Sequence, residues 1–200
     1  MRASDEAFSH ASGRTTLLQR HDAVAAGVYV VRRFGRIAVT ERDDHRSLPT
    51  LATLGPEPLG PGFTGEHLHR ALALSSRAVK TQLLSQRPVA GVGNIYADEA
   101  LWRARLRGTR LTDSISRAKL VELLGHARDV MAEALAVGGT SFDELYVNVN
   151  GESGYFARSL NAYGREGEPC YRCGSTMRRE QFMNRSSFYC AHCQRSARGR

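Results

Sequence analysis

Four cysteines carry the most specific chemistry in this 200-residue chain. Cys170, Cys173, Cys190 and Cys193 follow the pattern C-x2-C-x16-C-x2-C, in which each close pair offers two sulfurs to one tetrahedral ion, as in a zinc ribbon. Disulfide pairing is the alternative, and the paired C-x2-C spacing without a secretory signal argues against it. Four thiolates fill the shell of the ion, so one structural Zn2+ is expected and no catalytic one. A tail of about 30 residues cannot bury a sufficient core unaided. The metal then supplies its folding free energy, on the order of 10 kcal/mol.

A second group lies upstream, at Val89-Ala90-Gly91-Val92-Gly93-Asn94. Glycines let backbone amides approach an anion, and a helix beginning here would point its partly positive end at the same place. The same residues also suit a tight turn between two helices. Arg103, Arg105, Arg107 and Arg110 follow, with no acid in residues 100–112. They form either a cationic edge beside the turn or a solvated face.

These groups need elements to hold them, and residues 65–137 read as helical. Thr64 can cap a helix carrying Leu68, Leu72 and Leu74, and a second helical segment, 77–86, stops before Pro88, which disfavours helix in its predecessor. After the glycine turn comes a helix with Ile95, Ala100, Leu101 and Trp102. The longest helix spans about 116–137, with Leu120, Leu123, Leu124, Ala127, Val130, Met131 and Leu135 on one face and Gly138-Gly139 ending it. Residues 27–31 and 36–40 suit two short strands around Arg32-Arg33-Phe34-Gly35. Two strands alone are marginal in water, so they either pack on the helices or belong to a larger sheet. Residues 55–64 are rich in Gly and Pro and read as a linker.

The net charge of +8 favours a polyanionic partner. Its distribution is uneven: residues 165–200 hold 8 Lys plus Arg against 3 Asp plus Glu, whereas residues 51–164 hold 12 against 11. Of the basic residues 26 are Arg and only Lys80 and Lys119 are Lys, which suits bidentate contacts to phosphate or base edges, although base composition of the gene would give the same bias. With 42% hydrophobic and 24% charged residues the chain can bury a core. No apolar run reaches the roughly 18 residues of a membrane span, and Met1 to Ser12 lack a signal-peptide core. A soluble cytoplasmic protein, nucleoid-associated if bacterial, is expected.

Several of these segments, in order along the chain, resemble the formamidopyrimidine-DNA glycosylase (Fpg/Nei) family. The resemblance is carried by Arg32-Arg33-Phe34-Gly35, Leu54-Gly55-Pro56-Glu57-Pro58-Leu59, the run from Val89 through Gly91-Val92-Gly93-Asn94-Ile95-Tyr96-Ala97-Asp98 to Glu99, Tyr163-Gly164-Arg165 leading to Cys170, and Arg185-Ser186-Ser187-Phe188-Tyr189-Cys190. It implies an α+β chain: a remnant of an N-terminal β-sandwich (1–50, with 1–28 a candidate for disorder), a linker (51–64), a helix-two-turn-helix DNA-binding domain (65–162) and a C-terminal β-hairpin zinc ribbon (163–200). It also implies that Lys80, Asn94 and Arg185 hold the phosphates flanking a lesion in double-stranded DNA, damaged or abasic. Such contacts position the protein without reading sequence. Arg32 and Phe34 match the residues that fill the gap left by a flipped base. The loop 141–156 matches the segment that covers the everted base.

The resemblance is to a family of base-excision-repair enzymes with glycosylase and AP lyase activity, whose chains begin Pro-Glu once the initiator Met is removed. This sequence begins Met1-Arg2-Ala3-Ser4, and Val30-Val31 stand where the family has Asp-Pro. The expectation is therefore an N-terminally truncated member that binds damaged DNA, with no catalytic residue identified. Two alternatives stand beside it: an active glycosylase/lyase whose start lies upstream or whose nucleophile is another amine, and a zinc-ribbon interaction module without a DNA role.

Overall fold

The computed structural model describes the backbone of strands at Arg20–His21, Val24–Tyr29 and Arg36–Val39, and residues 52–60, 63–73, 75–137 and 159–196. Arg32, Phe34, Leu74, Gly138, Gly139, the loop 141–156 and residues 1–19 lie outside the described residues. The chain divides into two compact units, Met1–Thr53 and Leu54–Arg200.

In the first unit β1 (Arg20–His21), β2 (Val24–Tyr29) and β3 (Arg36–Val39) form an antiparallel sheet in the order β1-β2-β3. Val24 to Tyr29 combine β-branched, small and aromatic residues that suit a pleated surface, and Tyr29 pairs with Arg36 beside the connection. The two expected strands are therefore present, with β2 starting earlier at Val24 and a short third strand added.

The second unit contains α1 (Gly65–Ala73), α2 (Val79–Leu84), α3 (Asn94–Arg103), a 3-10 turn (Thr112–Ser114), α4 (Arg117–Ala136) and a hairpin of β4 (Met177–Phe182) and β5 (Arg185–Cys190). Each helix starts where a side chain or turn permits. Thr64 Oγ1 accepts from the His67 amide at 3.4 Å before α1, and Ser116 Oγ accepts from the Lys119 amide at 3.3 Å before α4, each satisfying an amide that the first turn leaves open. The segment expected as helix 77–86 is shorter. Arg77 lies in a bend and Ala78 bridges Leu111, while the Val79 and Lys80 amides donate to the Arg110 and Gly108 carbonyls, and Gln86 ends the run with φ 61°.

Leu68, Leu72, Val79, Leu83, Leu101, Leu120 and Leu123 meet in one buried core among the four helices. Each such side chain contributes about 1.5–3 kcal/mol on leaving water. The stripe of α4 holds at Leu120, Leu123, Leu124, Ala127, Val130 and Ala134. Leu135, expected on that face, is 68% exposed, because the buried row continues through Ala134 and the next residue is turned by about 100° from it. Before the helices, the chain at Gly55 runs so close to the 86–89 turn that an added Cβ would lie 2.2 Å from the Arg87 carbonyl oxygen. Gly55 N donating to Gln86 O and Ala90 N donating to Pro56 O complete the contacts there.

Candidate nucleic-acid interface and metal centre

The four cysteines converge at the base of the β4–β5 hairpin. Their sulfurs all lie within 4.8 Å of one another, with Cys173 Sγ and Cys190 Sγ 3.5 Å apart, whereas a tetrahedral zinc with sulfurs at about 2.3 Å holds its ligands about 3.8 Å apart. None is in a disulfide. Local geometry shapes each pair: Gly174, at φ 72°, lets its amide reach Cys170 O at 2.8 Å, and the Cys193 amide points at Cys190 Sγ at 3.4 Å. Hydrogen bonds from Ser175 hold the Cys173 thiol at about 6, while burial pushes Cys193 up to about 12. A divalent cation removes that resistance, since coordinated thiols are deprotonated. The donor set and spacing fit one structural zinc with no open position.

Helix α3 is the plate to which the ribbon is fixed. Ala97 through Trp102 are all buried, and three of them reach out. Asp98 Oδ1 accepts from Lys80 Nζ at 2.6 Å and Ser187 Oγ at 3.1 Å, and its Oδ2 accepts from the Phe188 amide at 3.0 Å. One carboxylate thus joins α2, α3 and β5. Glu99 Oε1 accepts from the amides of Asn161, Ala162 and Tyr163 at 3.0, 2.7 and 2.9 Å, fixing the chain where it enters the ribbon. Trp102 packs with Ala162, Cys170, Met177 and Cys190, and Arg172 lies over its ring at 4.0 Å while donating to its carbonyl at 2.9 Å. Further along, Gln194 accepts from the Cys190 amide and donates to Leu106 O at 3.0 Å.

The arginine run is divided by these contacts. Arg107 stacks on Tyr189 with its guanidinium carbon 3.0 Å from the ring centroid and meets Glu180 at 2.5 Å, so it clamps the ribbon and is not a solvated face. Arg103 makes a bidentate pair with Glu133 of α4 at 2.7 and 2.6 Å, which holds the Glu133 carboxyl below its ordinary value.

The start of α3 and the tip of the hairpin come together at the Ser186 carbonyl. Asn94 Nδ2 donates to it at 2.9 Å and Lys80 Nζ at 3.4 Å. Gly93 at the helix cap makes no side-chain capping bond. The preceding turn is braced by Gln86, whose side chain accepts from the Gly91 amide and donates to Val92 O. Arg185, the neighbour of Ser186, lines an open groove with Arg179, Gln181, Asn184 and the carboxylates Glu166 and Glu180. Asn94, Lys80 and the Ser186–Ser187 peptide therefore share one locus, although they are far apart in sequence. Arg32 and Phe34 lie outside the described residues. Lys80 is fully buried and Asp98 nearly so; burial pushes the ammonium down and the carboxyl up, each opposed by its partner. The sequence reading missed Asp98, Glu99 and Arg107 as anchors. The acidic pair within a glycine-led helix start was the only available signal.

Residues 54–145 match the model of the formamidopyrimidine-DNA glycosylase H2TH domain, and residues 167–195 match that of the zinc finger found in FPG and IleRS. The chain is 62% identical over 144 residues to a formamidopyrimidine-DNA glycosylase of Mycolicibacterium vanbaalenii, covering 72% of this chain and 49% of that protein. It thus spans about half the length of the curated relatives it matches. Its fold is similar to that of the MutM (Fpg) protein from Thermus thermophilus, with a TM-score of 0.77, 38% identity, and coverage of 90% and 72% of the two chains. It is also similar to Lactococcus lactis Fpg in complex with DNA containing an abasic site, with a TM-score of 0.74, 28% identity, and coverage of 89% and 68%.

Proposed function

Because this chain belongs to the formamidopyrimidine-DNA glycosylase family, we propose that its second unit is a zinc-stapled clamp for damaged duplex DNA. The observation that carries the reading is the hydrogen bond from Asn94, at the start of α3, to the Ser186 carbonyl, which holds the helix start against the hairpin strand next to Arg185. An amide at an uncapped helix start and a guanidinium fork are both phosphate ligands. The ribbon anchors at Asp98, Glu99 and Trp102 let them act together. Lys80 stands behind them at the same locus. By the resemblance alone, Arg32 and Phe34 are assigned to the gap left by a flipped base.

The zinc keeps the ribbon folded and takes no part in chemistry. Neither described lysine is a ready nucleophile: Lys80 is enclosed with Asp98, and Lys119 pairs with Glu122 at 2.9 Å on α4. Recognition of the lesion is accordingly the function assigned to this unit, within base excision repair. A double-stranded DNA partner and reduced thiols support a cytoplasmic location at the nucleoid. Asn94→Ala and Arg185→Ala are expected to weaken binding to a duplex with an abasic-site analogue by about tenfold or more, the loss of one charge-assisted hydrogen bond each, read by fluorescence anisotropy, with zinc content unchanged. Unaltered binding in both variants would transfer the ribbon to a protein-interaction role.

A further inference from the structure

A lysine with no exposed surface sits at the centre of a locus that handles phosphate. The Lys80 side chain is 0% exposed and that of Asp98 1%. Its ammonium is enclosed by Asp98 Oδ1 at 2.6 Å, the Ser186 carbonyl at 3.4 Å and the Phe182 ring at 5.3 Å. The remaining carboxylate valences go to the ribbon, through Ser187 Oγ and the Phe188 amide. Wherever the proton resides between the two, the sum of their charges is zero. A net-neutral pair neutralises no phosphate and releases no counterion from DNA.

We propose that Asp98 cancels the charge of Lys80, so that the pair serves the interface as a neutral strut holding the Ser186 carbonyl and the Arg185 hairpin in place, not as an ionic phosphate ligand. The inference rests on the DNA-binding reading above and names a positioning role within it. Buried ion pairs are weak sources of stability but can fix register between elements. Here the elements are α2, α3 and β5, and the register sets the distance between Asn94 and Arg185. Arg185 and the helix start then carry the ionic part of binding. The strut adds geometry without raising attraction to every duplex, which favours discrimination of damaged from intact DNA.

The test is the salt dependence of binding to an abasic-analogue duplex between about 50 and 200 mM salt, using the zinc-loaded full chain. K80M/D98N removes both charges and the strut; K80Q/D98N removes the charges and keeps a side-chain hydrogen bond. Expected is a slope unchanged within about 0.3 in both, with affinity lower by about tenfold at every salt in K80M/D98N and by less in K80Q/D98N. Arg185→Ala, measured alongside, should flatten the slope by about 0.9. A flattening of that size in the two double variants would overturn the proposal, as would full affinity in K80M/D98N. Should K80M/D98N fail to take up zinc, the hydrogen-bonded K80Q/D98N decides the slope. A wild-type protein that does not bind the duplex defeats the DNA reading and the strut with it; binding with flattened double variants defeats the strut alone.

Discussion

Removing the Glu99 carboxylate should separate the ribbon from the helices about as effectively as truncating Trp102, the largest apolar side chain at their junction. Glu99 is 1% exposed and its Oε1 accepts three consecutive backbone amides, with Oε2 also accepting from the Asn161 amide at 3.0 Å and its side chain at 3.3 Å. Glu99→Gln keeps one oxygen for the three amides but turns a donor toward Asn161, losing a charge-assisted bond at a cost of about 1.5–3 kcal/mol. Glu99→Ala leaves the buried Ala162 amide and its neighbours without acceptors and opens a cavity. With about 1–3 kcal/mol for each stranded donor, the loss reaches about 3–5 kcal/mol. Urea unfolding of the zinc-loaded chain, followed by tryptophan fluorescence, reads both effects, since Trp102 lies between the helices and the ribbon. The graded order wild type, Gln, Ala is the expected result. A Glu99→Ala stability within about 0.5 kcal/mol of wild type, the range of ordinary surface substitutions, would refute the role of the carboxylate as an anchor.

Other expectations follow from the same contacts. Chelating the metal should unfold residues 163–196 while α1 to α4 keep their helical circular dichroism, because the helices have their own core; full retention of the near-ultraviolet signal would contradict a structural zinc. The Glu133 carboxyl is held down chiefly by its hydrogen bonds to Arg103, so the pair's contribution is complete above the ordinary glutamate value and is lost as pH falls through the depressed one. Both side chains are partly exposed, 19% and 48%, which limits the effect to about 1 kcal/mol or less, and Glu133→Gln should flatten stability against pH only below about pH 5. Gly55→Ala should cost several kcal/mol, since the Arg87 carbonyl is backbone and cannot step aside; a thermal midpoint equal to wild type would deny that close approach.

The metal centre was fully legible in the sequence because thiolate chemistry is local: Cys170, Cys173, Cys190 and Cys193 declare their partner by spacing alone. Helix α4 was legible for a similar reason, its Ser116 cap and apolar period both lying within a few residues of what they determine. The failure at Leu135 shows the limit of periodicity, which marks a face but not how far its neighbours extend. Asp98 and Glu99 were hidden by distance along the chain. Their backbone-amide partners are 90 and 62–64 residues away, and a carboxylate on a helix carries no mark that says which amides will reach it. Arg107 was likewise ambiguous until Tyr189 and Glu180 were found across from it. The locus at Ser186 was suggested by resemblance in its separate residues, whereas their meeting point is a product of packing.

Central to the account is a clamp that prefers distorted DNA, and the most direct measurement is the ratio of equilibrium affinities of the zinc-loaded chain for an abasic-analogue duplex and the same duplex intact. A lesion clamp binds the abasic duplex more tightly, with both affinities falling steeply as salt rises. Equal affinity for the two duplexes would contradict it.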